Sequence, residues 1–290
     1  VYDLPKGRRA SKGKAIVNVI ALKPDEKVVT MLPVKEFGAG FFVLMATQKG
    51  TIKKTELSLF GNIRTTGIRA ISMDEGDALV AVRLTDGNVD VFLGTRNGYA
   101  TRFHESKVRQ MGRDARGVRG ISLRGGDEVI GLATIPPELK DAWMLTVCAR
   151  GYGKRTVLTE YPTKNRGGKG VITVRTTARN GKAVAIRVVS EEDHLILITD
   201  RGKLIRIRAD GIPTVGRATQ GVVVMRVEGD EVISSVARLA DTEDDSIKES
   251  AVVKSTLDDD DEAVADDEED GDGDEDQDGD GDESDDEEQE

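Results

Sequence analysis

Four segments of this chain repeat one pattern: "MATQKGTIKKTEL", "FLGTRNGYATRFH", "TVCARGYGKRTVL" and "LITDRGKLIRIRA". Each reads as an apolar strand, a tight turn and a second strand bearing cations. The turn glycines, Gly50, Gly98, Gly151 and Gly202, stand 48, 53 and 51 residues apart. Glycine there supplies the positive φ that a short hairpin turn needs. A second pattern recurs in "SKGKAIVNV", "TTGIRAISM", "ARGVRGISL", "GKGVITV" and "TQGVVVM", which share Gly13, Gly67, Gly117, Gly170 and Gly221. A third and looser one follows each: "DEKVVTMLPV", "GDALVAVRL", "GDEVIGLAT", "GKAVAIRVV" and "GDEVISSVA". A unit is therefore four short strands over roughly fifty residues, the period of a blade in a propeller-like ring. Packed blades are expected rather than separate hairpins, because a lone hairpin is marginal in water. "VYDLP" reads as the end of a cationic strand whose own turn lies upstream. Residues 1–240 are thus expected to form about five blades, the first incomplete, and the chain to be an excerpt of a longer one.

Aromatic residues make up only 4% of the chain. The core must therefore come from Val, Ile, Leu and Ala, the first two of which favour strands. The single cysteine, Cys148, excludes an internal disulfide and suits a reducing compartment. The longest apolar runs, such as Phe41 to Ala46, are too short to cross a bilayer, and the start has no signal-peptide hydrophobic segment. Cys148 and Trp143 read as core packing, and His104 and His194, single and far apart, as surface or structural residues.

Charge divides the chain in two. The net charge is -11, yet residues 241–290 carry 28 Asp+Glu against Lys248 and Lys254, leaving +15 on residues 1–240. A basic body of this kind points to a polyanion partner, with the tail as an internal competitor. The cations recur at equivalent places: Lys53 and Lys54, Arg102, Lys154 and Arg155, Lys203 and Arg206 on the hairpins. A second set flanks the intervening glycines: Arg8, Arg9, Lys12 and Lys14; Arg64 and Arg69; Arg113, Arg116 and Arg119; Lys164, Arg166 and Lys169; Arg217. One Lys-Arg pair alone is an ordinary solvated face. Its recurrence predicts a basic stripe around a ring, which is what a bent duplex requires. Gly167, Gly168 and Gly170 would let backbone N–H groups approach phosphate oxygens. Such contacts position a duplex without reading its bases, so any sequence preference should come from how easily DNA bends.

The strings "TQKGTIKKT", "TRNGYATRF", "ARGYGKRT" and "TDRGKLIRI", with "RGVRGISL", "RGGKGVITV" and the acidic tail, resemble the C-terminal domain of bacterial DNA gyrase A. The resemblance covers essentially all of residues 1–240. It implies an all-β fold, a β-pinwheel: a propeller-like ring of four-stranded blades that exchange strands. It also implies a function, wrapping double-stranded DNA on a basic rim so that ATP-driven strand passage introduces negative supercoils. The implied partners are DNA, gyrase B and the N-terminal part of gyrase A in an A2B2 heterotetramer in the bacterial cytoplasm, at the nucleoid. ATP and Mg2+ would bind elsewhere, no cofactor is expected in this chain, and the isolated domain is expected to be monomeric. The family's gyrase A box reads Q-R-R-G-G-K-G. Lys164-Asn165-Arg166-Gly167-Gly168-Lys169-Gly170 departs from it at the first two positions and lies in a late repeat, so it reads as a degenerate copy of a box ahead of Val1. The family's catalytic tyrosine belongs to an upstream domain, and none of Tyr2, Tyr99, Tyr152 or Tyr161 takes that role.

Residues 258–290 are mostly Asp, Glu and Gly and are expected to stay disordered. Asp276, Asp278, Asp280, Gly281 and Glu287 satisfy the EF-hand loop pattern, but no amphipathic helix flanks them, so no metal site is assigned. Three other readings stand beside DNA wrapping. They are the C-terminal domain of topoisomerase IV (of its C-type subunit), a propeller scaffold for protein partners, and an acidic-tailed chaperone of basic proteins. The scaffold would need exposed apolar or aromatic patches.

Overall fold

The computed structural model describes residues 26–62, 64, 67–139 and 141–239, with 15, 18, 20 and 22. Arg8, Arg9, Lys12, Lys14, the acidic tail and its EF-hand-like loop lie outside the described residues, so those expectations meet no structure here.

Each repeated segment forms its hairpin. β1 (Phe42–Thr47) pairs with β2 (Thr51–Glu56), and β3 (Leu79–Thr85) lies on the other side of β1. The next blade repeats this with β4 (Asp90–Thr95), β5 (Tyr99–His104) and, after β6 (Val118–Arg119), β7 (Val129–Ile135). Blade three has β8 (Trp143–Cys148), β9 (Tyr152–Val157) and, after β10 (Val171–Ile172), β11 (Ala183–Val189). Blade four has β12 (His194–Thr199), β13 (Leu204–Arg208) and, after β14 (Val222–Val223), β15 (Ile233–Leu239). The hairpin glycines sit at φ between 78° and 87°, the left-handed region that their tight turns demand.

The outermost strand of a blade is lent by the next unit. β6 closes the first sheet against β2, β10 the second against β5, and β14 the third against β9. The sheet orders are β3-β1-β2-β6, β10-β5-β4-β7, β11-β8-β9-β14 and β13-β12-β15. This is the strand exchange of a pinwheel. Among the described residues the fourth blade has three strands, and Leu204 on its open edge is 56% exposed.

Blades stack face to face through aliphatic side chains. Leu44 and Ile52 of the first blade meet Leu93, Phe103 and Leu132 of the second. Phe92 and Ala133 meet Met144 and Ile186. Leu145 and Val147 of the third meet Leu195, Leu197 and Val236 of the fourth. The pairing of "DEKVVTMLPV" with the other third-pattern strings is corrected: residues 26–34 form no strand, because no hairpin among the described residues offers them an edge. Trp143 packs half-buried and Cys148 is buried, as the sequence suggests. Burial pushes the Cys148 thiol up to about 12, against the pull of Lys154.

Candidate nucleic-acid interface

The second sequence pattern is the connector between hairpin and returning strand. Each connector after the first crosses to the preceding blade and lies along the second strand of its hairpin. Met111 N–H bonds to Lys54 O, Lys164 N–H to Arg102 O and Val215 N–H to Arg155 O, each at 2.9 Å. The crossing needs glycine where backbones meet. A Cβ on Gly170, at φ 70°, would stand 2.5 Å from Ala100 O. Gly117 and Gly221 meet Ile52 O and Gly153 O in the same way.

Neighbouring connectors are also bonded to each other. Ser72 Oγ donates to Asp114 O at 2.8 Å, and Gly167 N–H to Gly120 O at 2.7 Å. Ser122 N–H donates to Gly168 O at 2.9 Å, and Arg175 N–H to Thr219 O at 3.0 Å. The four connectors therefore form one laced band along the blade edges.

The predicted cations divide sharply over this framework. Arg64, Arg69, Arg119, Lys164 and Lys169 are exposed on the band, and their side chains make no hydrogen bond or ion pair among the described residues. Arg116 is exposed and pairs with Asp74 at 2.7 Å. Arg113 is half-buried. Arg166 is half-buried as well, its Nε bonded to Lys107 O at 2.8 Å and its Nη1 to Arg119 O at 3.0 Å. Arg217 directs Nη1 to Ile172 O at 2.7 Å. These two arginines lace connectors together as much as they offer charge.

Most hairpin cations belong inside the blades, which corrects the expectation that they line a rim. Lys53 and Lys154 are 0% exposed. Lys53 Nζ donates to Ala70 O and Arg113 O, and Lys154 Nζ to Gly216 O at 2.7 Å, Arg217 O and Thr219 Oγ1 at 3.2 Å. Lys54 is buried over the Phe42 ring at 4.7 Å. Arg155 is buried over Trp143 and bonds Ile212 O at 2.7 Å and Asp210 O at 3.1 Å. Arg102 is half-buried, pairs with Asp90 at 2.8 Å and bonds Leu158 O at 2.9 Å. The physical reason is a shared one. A connector laid over the strand brings carbonyl oxygens that need donors, and long cationic side chains reach them. Lys203 stays exposed, while Arg206 is half-buried against His194 Nδ1 at 3.1 Å.

Burial pushes both lysines down, to about 8, opposed by Asp114 at Lys53 and by Glu160 at Lys154. Both therefore stay charged at neutral pH. Of the glycines expected to admit phosphate, Gly170 serves the approach to β5, whereas Gly168 is exposed with open space around it.

Sequence reasoning passed over Lys107, Arg109 and Arg175, which are exposed on the same band with side chains unpaired among the described residues. Their signal was position within a connector, away from its glycine. Among the described residues no cluster of His, Cys, Asp or Glu is placed to hold a metal, and no helix is long and apolar enough to cross a membrane.

A family model described as "DNA gyrase C-terminal domain, beta-propeller" matches residues 1–35, 42–86, 90–136, 143–190 and 193–240. DNA gyrase A of Salmonella typhimurium is 43% identical over 265 residues, 91% of this chain and 30% of that protein. DNA gyrase A of Escherichia coli K12 is 45% identical over 245 residues, 84% of this chain and 28% of that protein. The chain thus spans under a third of these relatives' length. A solved C-terminal domain of DNA topoisomerase IV superposes with TM-score 0.78 at 30% identity, covering 89% of this chain and 79% of that one. A DNA gyrase A C-terminal domain superposes with TM-score 0.71 at 24% identity, over 79% and 76%, a likeness of fold.

Proposed function

The chain belongs to the family of the DNA gyrase C-terminal domain, and from that premise we propose that it binds double-stranded DNA and curls it along the connector band. The supporting observation is the series of exposed, unpaired cations, Arg64, Arg69, Arg119, Lys164 and Lys169, on connectors tied to one another. A duplex is a line of charge, and cations carried on successive connectors answer it phosphate by phosphate. Bending a 20–30 bp site costs on the order of 1–6 kcal/mol, so several blades must share the contact. Rigid lacing matters here, because a stiff track does not relax to follow straight DNA.

In this reading the chain has no catalytic site and no cofactor of its own. It serves a gyrase, with gyrase B and the rest of gyrase A, in which ATP-driven strand passage uses the chirality of the wrap to introduce negative supercoils. The acidic tail competes with DNA for the cations, and its tether gives it a high effective concentration. The working place is the bacterial cytoplasm, on the nucleoid.

The test is wrapping, separated from binding. Relaxed nicked circles are incubated with the chain, ligated and stripped of protein. A displaced linking-number distribution is the expected result. A mobility shift without displacement defeats the wrapping reading, and no shift at low salt defeats DNA binding altogether.

A further inference from the structure

Three of the four hairpin turns have their polar groups answered by acids on the loop that returns beneath them. Lys49 N–H bonds to Asp77 Oδ1 at 2.9 Å, and its Nζ to Glu75 O at 2.6 Å. Arg96 pairs with Glu128 at 2.7 Å, and Asn97 N–H bonds to Asp127 Oδ1 at 2.8 Å. Arg201 pairs with Asp230.

The third turn breaks the rule. Its returning loop reads Arg179-Asn180-Gly181-Lys182, with no carboxylate. Asn180 is buried and turned inward, its Nδ2 donating to Arg175 O and Gln220 O at 3.0 Å. Arg150, in the turn itself, is exposed, and its side chain makes no hydrogen bond or ion pair among the described residues. Lys182 is exposed and, among the described residues, its ammonium bonds only the neutral Asn97 Oδ1, at 2.6 Å. A cleft of about 410 Å³ opens here, lined by Arg150, Thr176, Thr177, Ala178, Gly181 and Lys182. The cleft beside the first turn, about 520 Å³, holds Asp74, which already neutralises Arg116. Around the third turn stand two further cations. Arg175 lies on the connector band, and Arg179 is held by Tyr152, with Nε 2.9 Å from its hydroxyl.

We infer that the third turn is a second DNA contact, where two neighbouring backbone phosphates seat, one at Arg150 and one at Lys182. The inference rests on the DNA-binding reading and extends its track from the connector through Arg175 onto the blade face. Charge that no acid neutralises, in a concave site without carboxylates, costs stability through self-repulsion unless an anion arrives. At the fourth turn the equivalent arginine, Arg201, is already paired with Asp230 of its own loop. The contact is to phosphate, so it adds affinity and direction to the wrap without reading sequence.

The experiment uses the full chain and a labelled duplex of about 150 bp, the length over which DNA resists bending. Binding is followed by anisotropy across a salt series. Arg150→Ala with Lys182→Ala should lower the salt slope by about two, one for each phosphate contact removed. Arg150→Ala alone should lower it by about one. Because the Arg150 side chain makes no bond among the described residues, that single variant separates a lost contact from a lost fold. Arg96→Ala with Arg201→Ala, which removes turn cations already paired with carboxylates of their own loops, should leave the slope unchanged. An unchanged slope in the Arg150 variants overturns the inference while leaving DNA binding intact. An equal fall in the control pair overturns it too, since it would reduce the effect to net charge. If the unaltered chain fails to hold the duplex at low salt, the underlying reading falls and this one with it.

Discussion

Two lysines of the third unit do opposite work. Lys154 gives its protons to carbonyl oxygens of residues 216 and 217, and Lys169 keeps its ammonium in water. Lys154→Met should destabilise the fold by about 2–4 kcal/mol in urea unfolding, because two connector carbonyls lose the donor that a fully buried side chain supplies. Lys169→Ala should stay within about 0.5 kcal/mol of the parent yet reduce the salt slope of DNA binding by about one. Reversed outcomes would exchange the roles assigned to these residues. A pH signature accompanies the buried pair. Folding lowers the lysine pKa from 10.5 to about 8, so between these values the unfolded chain holds more protons and stability rises with pH. Cys148 has the other sign: raised from 9.0 to about 12, it makes stability fall above pH 9, and the raised Tyr161 acts likewise. The lysine effect therefore shows most clearly between the folded lysine value of about 8 and the unfolded cysteine value of 9.0. The gain in urea midpoint across that interval should shrink in Lys154→Met.

The connector is the element on which the fold and the proposed interface both depend, and glycine sets where it can lie. Gly170→Ala should cost more than about 2 kcal/mol, combining a left-handed residue with a Cβ 2.5 Å from Ala100 O. Gly168→Ala, two residues away with nothing within 4 Å, should cost less than about 1 kcal/mol in the same melts. Hairpins were legible in the sequence because their instructions are local: an apolar run, a turn glycine, a second run. The lent strands were less so, since β6 and β10 are two residues each and their partners lie 66 to 73 residues away. Only the resemblance implied that exchange. Burial of the hairpin cations was not legible from charge, because it depends on a connector arriving from the next unit. A trace of it existed. In the hairpin register Lys53 is equivalent to Thr101, Lys154 and Ile205, and a place that accepts isoleucine points inward.

At the scale of the molecule, the proposed reading makes electrostatics a competition for one band of cations. Residues 1–240 carry +15 and residues 241–290 carry -26, so the tail outweighs the charge it would face. Every contact described above lies within residues 26–239, so a chain ended after Leu239 keeps the whole laced framework. Removing the tail should tighten duplex binding at low salt and displace the linking-number distribution further in the ligation assay. The effect should fade as salt rises, because the Debye length falls from about 10 Å at 0.1 M to 3 Å at 1 M and both competitors are screened. A tail that only kept the domain soluble would leave affinity and wrapping equal in the two chains at every salt concentration. A tail seated on the connectors would also protect Lys164 and Lys169 from an amine-modifying reagent in the full chain. Buried Lys53 and Lys154 would stay unreactive in both chains, an internal standard that the fold itself supplies.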